Sequence, residues 1–349
     1  MNILVAGLSN HPGHVSHMIA FYKLCEACGF SSYIYTYKDS VRYFPQELRC
    51  LVYGEKIGIK VDVVLFYTPS KDNLSEILKF KYKFSSKILY VFHEPLTKLS
   101  VYKNAGFSIS QLFKLELGAI YDAVIVKLVN TVLLASKTAV DYYDNNKLYW
   151  NKNRYYFPLI YDDEYKIGKE RKYISYIGTI ASDHSYNEYV DFIKKCWKYN
   201  LLSNCNFLIA TKSYVVRDED INQMEKDGIL RIIDGHPMTN DEINEYYAES
   251  FIIWNAYQRT TQSSVLPKAF MFGCPAIIMK KNISYITEDK KNVFAVDDNK
   301  DADKLLEASK YILNNYSEFT NNARSTFETK CHWNNYIEDF KKILEPLIQ

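Results

Sequence analysis

The fold of this chain is decided by the stretch Gln262-Ser-Ser-Val-Leu-Pro-Lys-Ala-Phe-Met-Phe-Gly-Cys-Pro-Ala-Ile-Ile278. Its polar start, followed by Pro267, predicts a turn that opens a helix, Gly273 ends this helix, and the residues after it predict a strand. Free backbone N–H groups and the helix dipole point out of a helix N-terminus, so this turn is suited to bind a diphosphate. The same pattern also fits an ordinary loop, helix and strand of an α/β domain.

Size and composition are those of a globular protein with room for two domains, because the chain has 349 residues and an apolar content of 48%. A net charge of only +2 argues against nucleic acid as a partner. Seven scattered cysteines, an odd number, argue against a disulfide framework and favour a reducing compartment. No signal peptide or membrane-spanning run is evident, so we expect a cytoplasmic protein, or one attached to the inner face of the cell membrane.

Short apolar runs alternate with helical or loop stretches along the whole chain, which predicts parallel, doubly wound sheets. Strands are predicted in the first half at 3–6, 32–37, 61–67, 87–92, 123–126 and 131–135. In the second half they are predicted at 173–177, 206–210, 230–233, 251–254 and 293–296. The alternation is lost between Asn151 and Lys172, and we place a domain boundary there.

Two loops of the first half carry polar residues directly after predicted strands. His11, Gly13 and His14 follow the first strand, while His93 and Glu94 follow the strand at 87–92. Since ligands of parallel sheets bind beyond the carboxyl ends of the strands, we expect these loops to share one cleft. His93 is a candidate general base or ligand of a substrate hydroxyl, with Glu94 as its orienter or base. Alternatively, both are loop residues that bond to nearby backbone.

A basic cluster lies between the third and fourth predicted strands, where Lys79, Lys81 and Lys83 alternate with aromatic residues. Such a surface can rest on anionic lipid headgroups. The alternative is the solvated end of a helix.

The order of these features resembles that of the GT-B glycosyltransferases, the nucleotide-sugar-dependent enzymes that build polysaccharides and glycolipids. The turn at Gly178 is similar to the family's opening strand and glycine, and 235–247 is similar to the segment before the donor site. The stretch 266–277 resembles the donor-binding loop and helix, and Trp333 with the helix after it resembles the segment that returns to the first domain.

The resemblance implies an α/β protein with the GT-B fold, in which two Rossmann-like domains face each other across a cleft. Residues 1–160 would form the acceptor-binding domain and residues 161–330 the nucleotide-sugar-binding domain. The C-terminal helix, within residues 331–349, would pack back on the first domain.

The resemblance also implies a transferase that uses a nucleoside-diphosphate sugar as donor substrate, a glycan or lipid-linked acceptor, and neither a cofactor nor a metal. By position, we expect the donor to contact Gly178, Thr179, Lys212, Asn255, Arg259, Gln262, Ser263, Ser264 and Lys268. The family commonly has two glutamates in this motif, whereas this chain has Thr260 and Lys268 at the matching positions. Lys268, Lys212 or Arg259 would then supply the positive charge at the diphosphate.

Two other functions fit the same sequence. The missing glutamates favour a noncatalytic GT-B protein that binds a partner transferase or a nucleotide sugar. A sugar-nucleotide epimerase would need a carboxylate near the sugar, for which no clear candidate is present. The sequence lacks an Asp-x-Asp motif at a strand end in a plausible donor loop, because Asp218-Glu-Asp220 lies in a charged, exposed connection, and no metal site is expected.

Overall fold

The computed structural model describes residues 1–9, 12–150, 153–165, 169–260 and 263–348. The chain forms two compact units. The first unit comprises Met1–Asp162 together with the C-terminal segment from Cys331, and the second comprises Asp163–Lys330.

The first unit is built on a seven-stranded parallel sheet in the order β3-β2-β1-β4-β5-β6-β7. Its strands are β1 Asn2–Gly7, β2 Ser31–Thr36, β3 Cys50–Val52, β4 Val63–Phe66, β5 Lys87–Phe92, β6 Thr131–Leu134 and β7 Arg154–Tyr156. The central strands are buried along almost their whole length, because helices cover both faces of the sheet. The sequence did not predict β3 and β7, which are edge strands of three residues each.

The helices of the first unit are α1 Val15–Ala27, α2 Asn73–Leu78, α3 Leu99–Asn104, α4 Ile109–Leu128 and α5 Lys137–Asn145. The strand predicted at 123–126 was wrong, because these residues belong to α4. Ala119, Ala123 and Val126 recur at helical spacing and are buried on one side of α4. A short apolar run alone does not distinguish a buried strand from a buried helix turn.

The second unit contains a six-stranded parallel sheet in the order β10-β9-β8-β11-β12-β13. Its strands are β8 Tyr173–Ile177, β9 Asn206–Ala210, β10 Leu230–Ile233, β11 Ser250–Asn255, β12 Ala276–Met279 and β13 Val293–Val296. This strand order is that of a Rossmann fold, and the first unit has the same order with one further strand. The predicted α/β class with two Rossmann-like sheets is confirmed.

The helices of the second unit are α6 Tyr186–Lys198, α7 Glu219–Lys226, α8 Asn240–Ala248, α9 Val265–Met271, α10 Ala302–Asn314 and α11 Tyr316–Lys330. A capping box opens α8, because Thr239 and Glu242 each accept a hydrogen bond from the other's backbone N–H. Gly273 ends α9 with φ +63°, and a Cβ atom there would lie 3.0 Å from the side chain of Thr320.

The last helix, α12 Ile337–Ile348, belongs to the first unit. The ring of Phe340 packs against Phe21 of α1 and Phe157, with centroids 6.1 and 5.4 Å away. Just before α12, Trp333 Nε1 donates to Asp162 Oδ1 at 3.0 Å. The predicted return of the C-terminal helix to the first domain is confirmed.

Candidate functional site

The sheet of the second unit reverses its winding between β8 and β11, which lie side by side. The loops after two such strands run in opposite directions and leave a crevice at the carboxyl edge of the sheet, where ligands of doubly wound domains bind. Gly178 and Thr179 follow β8, and the segment from Asn255 to Arg259 ends and follows β11. The fold thus brings several predicted donor residues to one edge.

The start of α9 is tied to the end of β11 by side-chain hydrogen bonds. The buried Asn255 donates from Nδ2 to Ser263 Oγ at 2.9 Å, and the backbone N–H of Val265 donates to the same hydroxyl at 3.2 Å. Ser264 occupies the N-cap position of α9. Asn255 and Ser263 therefore fix the turn in which the anion site was predicted. Gln262, a predicted sugar contact, lies outside the described residues.

Arg259, in the loop after β11, is buried at this edge. Its Nη1 lies 3.5 Å from Oδ2 of Asp183, which is also buried and whose backbone carbonyl accepts from Gln258 N at 2.8 Å. The Arg259 guanidinium is therefore held beside a buried carboxylate at the carboxyl edge of the sheet.

The loop after β8 packs on the loop after β11 through aromatic rings. The His184 ring stacks on Tyr257 with centroids 4.3 Å apart, and its Nδ1 donates to the Thr179 carbonyl at 2.7 Å. Burial raises the pKa of the Tyr257 hydroxyl well above its ordinary value, so this group stays neutral. A Cβ atom at Gly178, where φ is +145°, would lie 3.6 Å from that hydroxyl. These contacts hold Gly178 and Thr179 in place at the crevice.

Lys268 of α9 is buried and bonded to groups of the same unit. Its Nζ donates to Glu164 Oε2 at 2.9 Å and to Asn240 Oδ1 at 3.2 Å. Asn240 and Asn244 of α8 both donate from Nδ2 to the same carboxylate oxygen, at 2.5 and 2.6 Å. This cluster joins the first residues of the unit to α8 and α9. The Lys268 ammonium is thus paired with a carboxylate of its own unit.

In the first unit, the ring of Tyr67, directly after β4, lies among three histidines. The centroid distances are 5.9 Å to His14, 5.1 Å to His17 and 4.9 Å to His93. His93 Nε2 donates to the Tyr67 carbonyl at 2.7 Å, which leaves Nδ1 as the acceptor of the neutral ring. Burial lowers the pKa of His93, so the ring is neutral at pH 7. The structure thus brings the predicted residues His14 and His93 to one edge.

Comparison with solved structures finds matches along the whole chain. A sucrose-phosphate synthase from Thermosynechococcus elongatus has a TM-score of 0.70 and 12% identity, covering 100% of this chain and 99% of that chain. Anabaena HepE, solved in complex with UDP and glucose, has a TM-score of 0.71 and 10% identity, covering 99% and 100%. A glycosyltransferase from Rickettsia africae has a TM-score of 0.67 and 14% identity, covering 100% and 98%. The chain has the GT-B fold.

Comparison at the level of sequence finds no match for this GT-B chain, either among protein-family models or among curated proteins.

Several residues that build the crevice of this GT-B fold were not predicted from the sequence, among them Asp183, His184, Tyr257 and Asn299. The buried Asn299 donates from Nδ2 to the Ala256 carbonyl and accepts from Gln258 Nε2, at 2.7 and 2.9 Å. Asn299 follows β13, and a polar residue just beyond the carboxyl end of the last strand was the feature of the sequence that could have indicated its place at the crevice.

The other predicted site residues of the GT-B chain have simpler surroundings. Lys212 is exposed beyond β9, and Gly13 and Glu94 are exposed in the first unit. His14 lines a small pocket, with room for about one water molecule, together with Gly7, Ser9, Thr36, Ser40 and Thr68. His11 lies outside the described residues.

The basic cluster forms a π-helical turn, Lys79–Lys83, called here the lysine turn. Lys79 pairs with Glu76 at 2.8 Å, Lys81 donates to the Leu128 carbonyl at 2.5 Å, and Lys83 is exposed. The lysine turn therefore sits at the C-terminal end of α4.

Asp218 caps α7 by accepting from Ile221 N at 3.0 Å, and Asp220 pairs with Lys198 at 2.8 Å. Within the described ranges, no cluster of three or more His, Cys, Asp or Glu side chains is placed to hold a metal ion. Among the helices of those ranges, none combines the length and apolar character that crossing a bilayer requires.

Proposed function

We propose that this protein is a glycosyltransferase that moves a sugar from a nucleoside-diphosphate sugar to a glycan or lipid-linked acceptor in surface polysaccharide synthesis. The observation that carries the proposal is the placement of the buried Arg259 and the start of α9 at the winding reversal of the second sheet. Anabaena HepE, which shares the fold, was solved with UDP and glucose, and this supports a donor of the same chemical class.

The second unit is proposed to bind the donor. As the glycosidic bond breaks, negative charge accumulates on the leaving diphosphate, and preorganised positive groups lower the barrier. Arg259 supplies a full charge, and the start of α9 supplies backbone N–H groups and the helix dipole. Gly178 and Thr179 lie beside this position, and Lys212 and Lys268 are further candidates for the diphosphate.

The first unit is proposed to bind the acceptor, with His93 as general base or sugar ligand. A neutral ring whose Nε2 proton is held by the Tyr67 carbonyl presents Nδ1 as an acceptor for a proton from a hydroxyl group. His11, Gly13, His14 and Glu94 are proposed on the same acceptor side.

We further propose that transfer needs no metal and takes place at the inner face of the cell membrane. Arg259 and the start of α9 supply the charge stabilisation that a metal ion provides in other transferases. The lysine turn would face anionic headgroups.

A second candidate function is that of a noncatalytic partner or nucleotide-sugar-binding protein of the same fold. It is favoured by Thr260 and Lys268, which replace the two glutamates of the resembling family, and by the ion pair that already occupies Lys268.

One experiment separates the two candidates. Pure protein is incubated with a panel of nucleotide sugars and a lipid-linked acceptor, with and without EDTA, and released nucleoside diphosphate is measured. Acceptor-dependent release that persists in EDTA is the expected result. Nucleotide binding without turnover for every donor and acceptor would support the noncatalytic candidate.

A further inference from the structure

The long helix α4 exposes an apolar face that was not predicted from the sequence. Ile109, Phe113, Leu117, Ile120 and Val124 are separated by four, four, three and four residues, so they form one stripe along the helix. Their exposed fractions range from 42% to 85%. We call these five residues the α4 stripe.

The α4 stripe is not the core face of its helix. The buried residues Ala119, Ala123, Ile125 and Val126 of α4 belong to the hydrophobic core of the first unit, and the stripe lies on another, exposed side of the helix. Five large apolar side chains side by side on a surface mark an interaction site, whereas single exposed apolar residues need no explanation.

The segment of chain that contains α4 is basic. Between Lys71 and Leu128 the chain has nine lysines and five carboxylates, a balance of +4, whereas the whole chain carries +2. Lys114 and Lys127 are exposed on α4 itself, and Lys81 of the lysine turn bonds to the last carbonyl of the helix. Tyr82, beside Lys81, is 68% exposed and adds an aromatic ring at the same end.

We propose that α4 lies in the plane of an anionic lipid surface, with the α4 stripe among the acyl chains and the lysines at the headgroups. An apolar face flanked by lysines matches the chemistry of such a surface, in which apolar burial and attraction to anionic headgroups add. Four charged residues within α4 keep it in the interface rather than across the bilayer. A second copy of this chain fits the stripe less well, because pairing two such helices would bring their lysines together.

This inference extends the membrane location proposed above and names the element that enters the lipid. Vesicle binding requires neither donor nor acceptor, so its outcome is independent of whether the protein transfers a sugar.

The test is co-sedimentation of the full chain with vesicles of phosphatidylcholine alone or mixed with phosphatidylglycerol. We expect binding to the phosphatidylglycerol vesicles that weakens with added salt. The variant F113E/L117E should lower the partition coefficient by about tenfold or more, because two apolar side chains no longer enter the lipid. The uncharged variant F113Q/L117Q should also lower the partition coefficient. That result would exclude simple repulsion between glutamate and anionic lipid as the cause.

Two further variants complete the design. K83E/K114E should lose binding to phosphatidylglycerol vesicles to a similar extent. The control Y199E/V216E changes two exposed apolar residues of the second unit and should bind as the wild type does. Circular dichroism and thermal unfolding of each variant establish that the exposed substitutions leave the fold intact.

Three results would overturn the proposal. The first is wild-type protein that stays in the supernatant with both kinds of vesicle. The second is a folded F113E/L117E variant that binds as tightly as the wild type. The third is a wild-type dimer that does not bind vesicles and that F113E/L117E converts to a monomer, which would assign the stripe to a second copy.

Discussion

The ammonium of Lys268 and the carboxylate of Glu164 form a buried ion pair, with Nζ 2.9 Å from Oε2. Lys268 lies in α9, at a position that matches a glutamate of the resembling family, and Glu164 belongs to the first residues of the second unit. Asn240 and Asn244 add hydrogen bonds to the same carboxylate oxygen. A charge at this position is thus matched by an opposite charge from a distant part of the chain.

We expect K268M to lower the free energy of unfolding by roughly 3 kcal/mol, because it leaves a buried carboxylate without its cation. E164Q should cost a comparable amount, and the double variant should recover more than about 1 kcal/mol of the summed loss. Denaturant unfolding of the four proteins measures this coupling. Strictly additive costs would mean that the two groups do not interact.

The same variants test the diphosphate role of Lys268. If the ion pair is its main task, folded K268M should bind UDP with an unchanged Kd in calorimetry. A Kd raised tenfold or more, with E164Q unaffected, would instead place the ammonium at the diphosphate.

Replacing Arg259 by methionine should raise the Kd for UDP by about 10- to 100-fold, since one charge-assisted hydrogen bond contributes about 1.5 to 3 kcal/mol. D183N is the matched control, because it removes the carboxylate beside Arg259 and keeps the guanidinium. We expect D183N to bind UDP at least as tightly as the wild type. If the Arg259→Met and D183N variants lost the same free energy of unfolding and both kept the wild-type Kd for UDP, the role of Arg259 would be structural.

His93 is tested with H93Q, whose amide can still donate to the Tyr67 carbonyl but cannot accept a proton. If His93 is the general base, kcat should fall by about 10²- to 10⁴-fold while the fold is retained. Because burial lowers the pKa of His93 below 6.5, wild-type kcat/KM should begin to fall only below pH 6.5, as the ring gains a proton. A small change in kcat with a raised KM would point to a sugar ligand.

Asp122 of α4 is predicted to make the fold more stable in mild acid. Burial raises its pKa from 3.8 to about 6, so the folded state binds a proton more tightly than the unfolded chain does. This contribution to stability therefore increases as the pH falls from about 6 toward 3.8, and the burial penalty is present in full above that window. D122N should raise the free energy of unfolding at pH 8 by at most about 3 kcal/mol.

The measurement is denaturant unfolding of D122N and wild type between pH 4 and 8. The control E116Q removes an exposed carboxylate from the same helix and should leave the pH dependence of the wild type unchanged. Equal stability differences between D122N and wild type at every pH would contradict the assignment.

The sequence by itself determined the features that depend on close neighbours. Strands such as Tyr173–Ile177 and Lys87–Phe92 coincide with apolar runs, because strands of a covered parallel sheet are buried on both faces. The capping box at Thr239 and the helix end at Gly273 were readable because both depend on residues only a few positions apart. Their order along the chain was also sufficient to suggest the GT-B fold.

Only the tertiary structure decided which distant residues meet. Glu164 lies 104 positions before its partner Lys268, and Asp183 pairs with Arg259 from another loop. No local pattern encodes such pairs, because their formation depends on how the strands and helices pack. The same holds for the α4 stripe. Residues 123–126 of α4 were predicted to be a strand, and only the tertiary structure shows which side of the helix is buried in the core and which side is exposed.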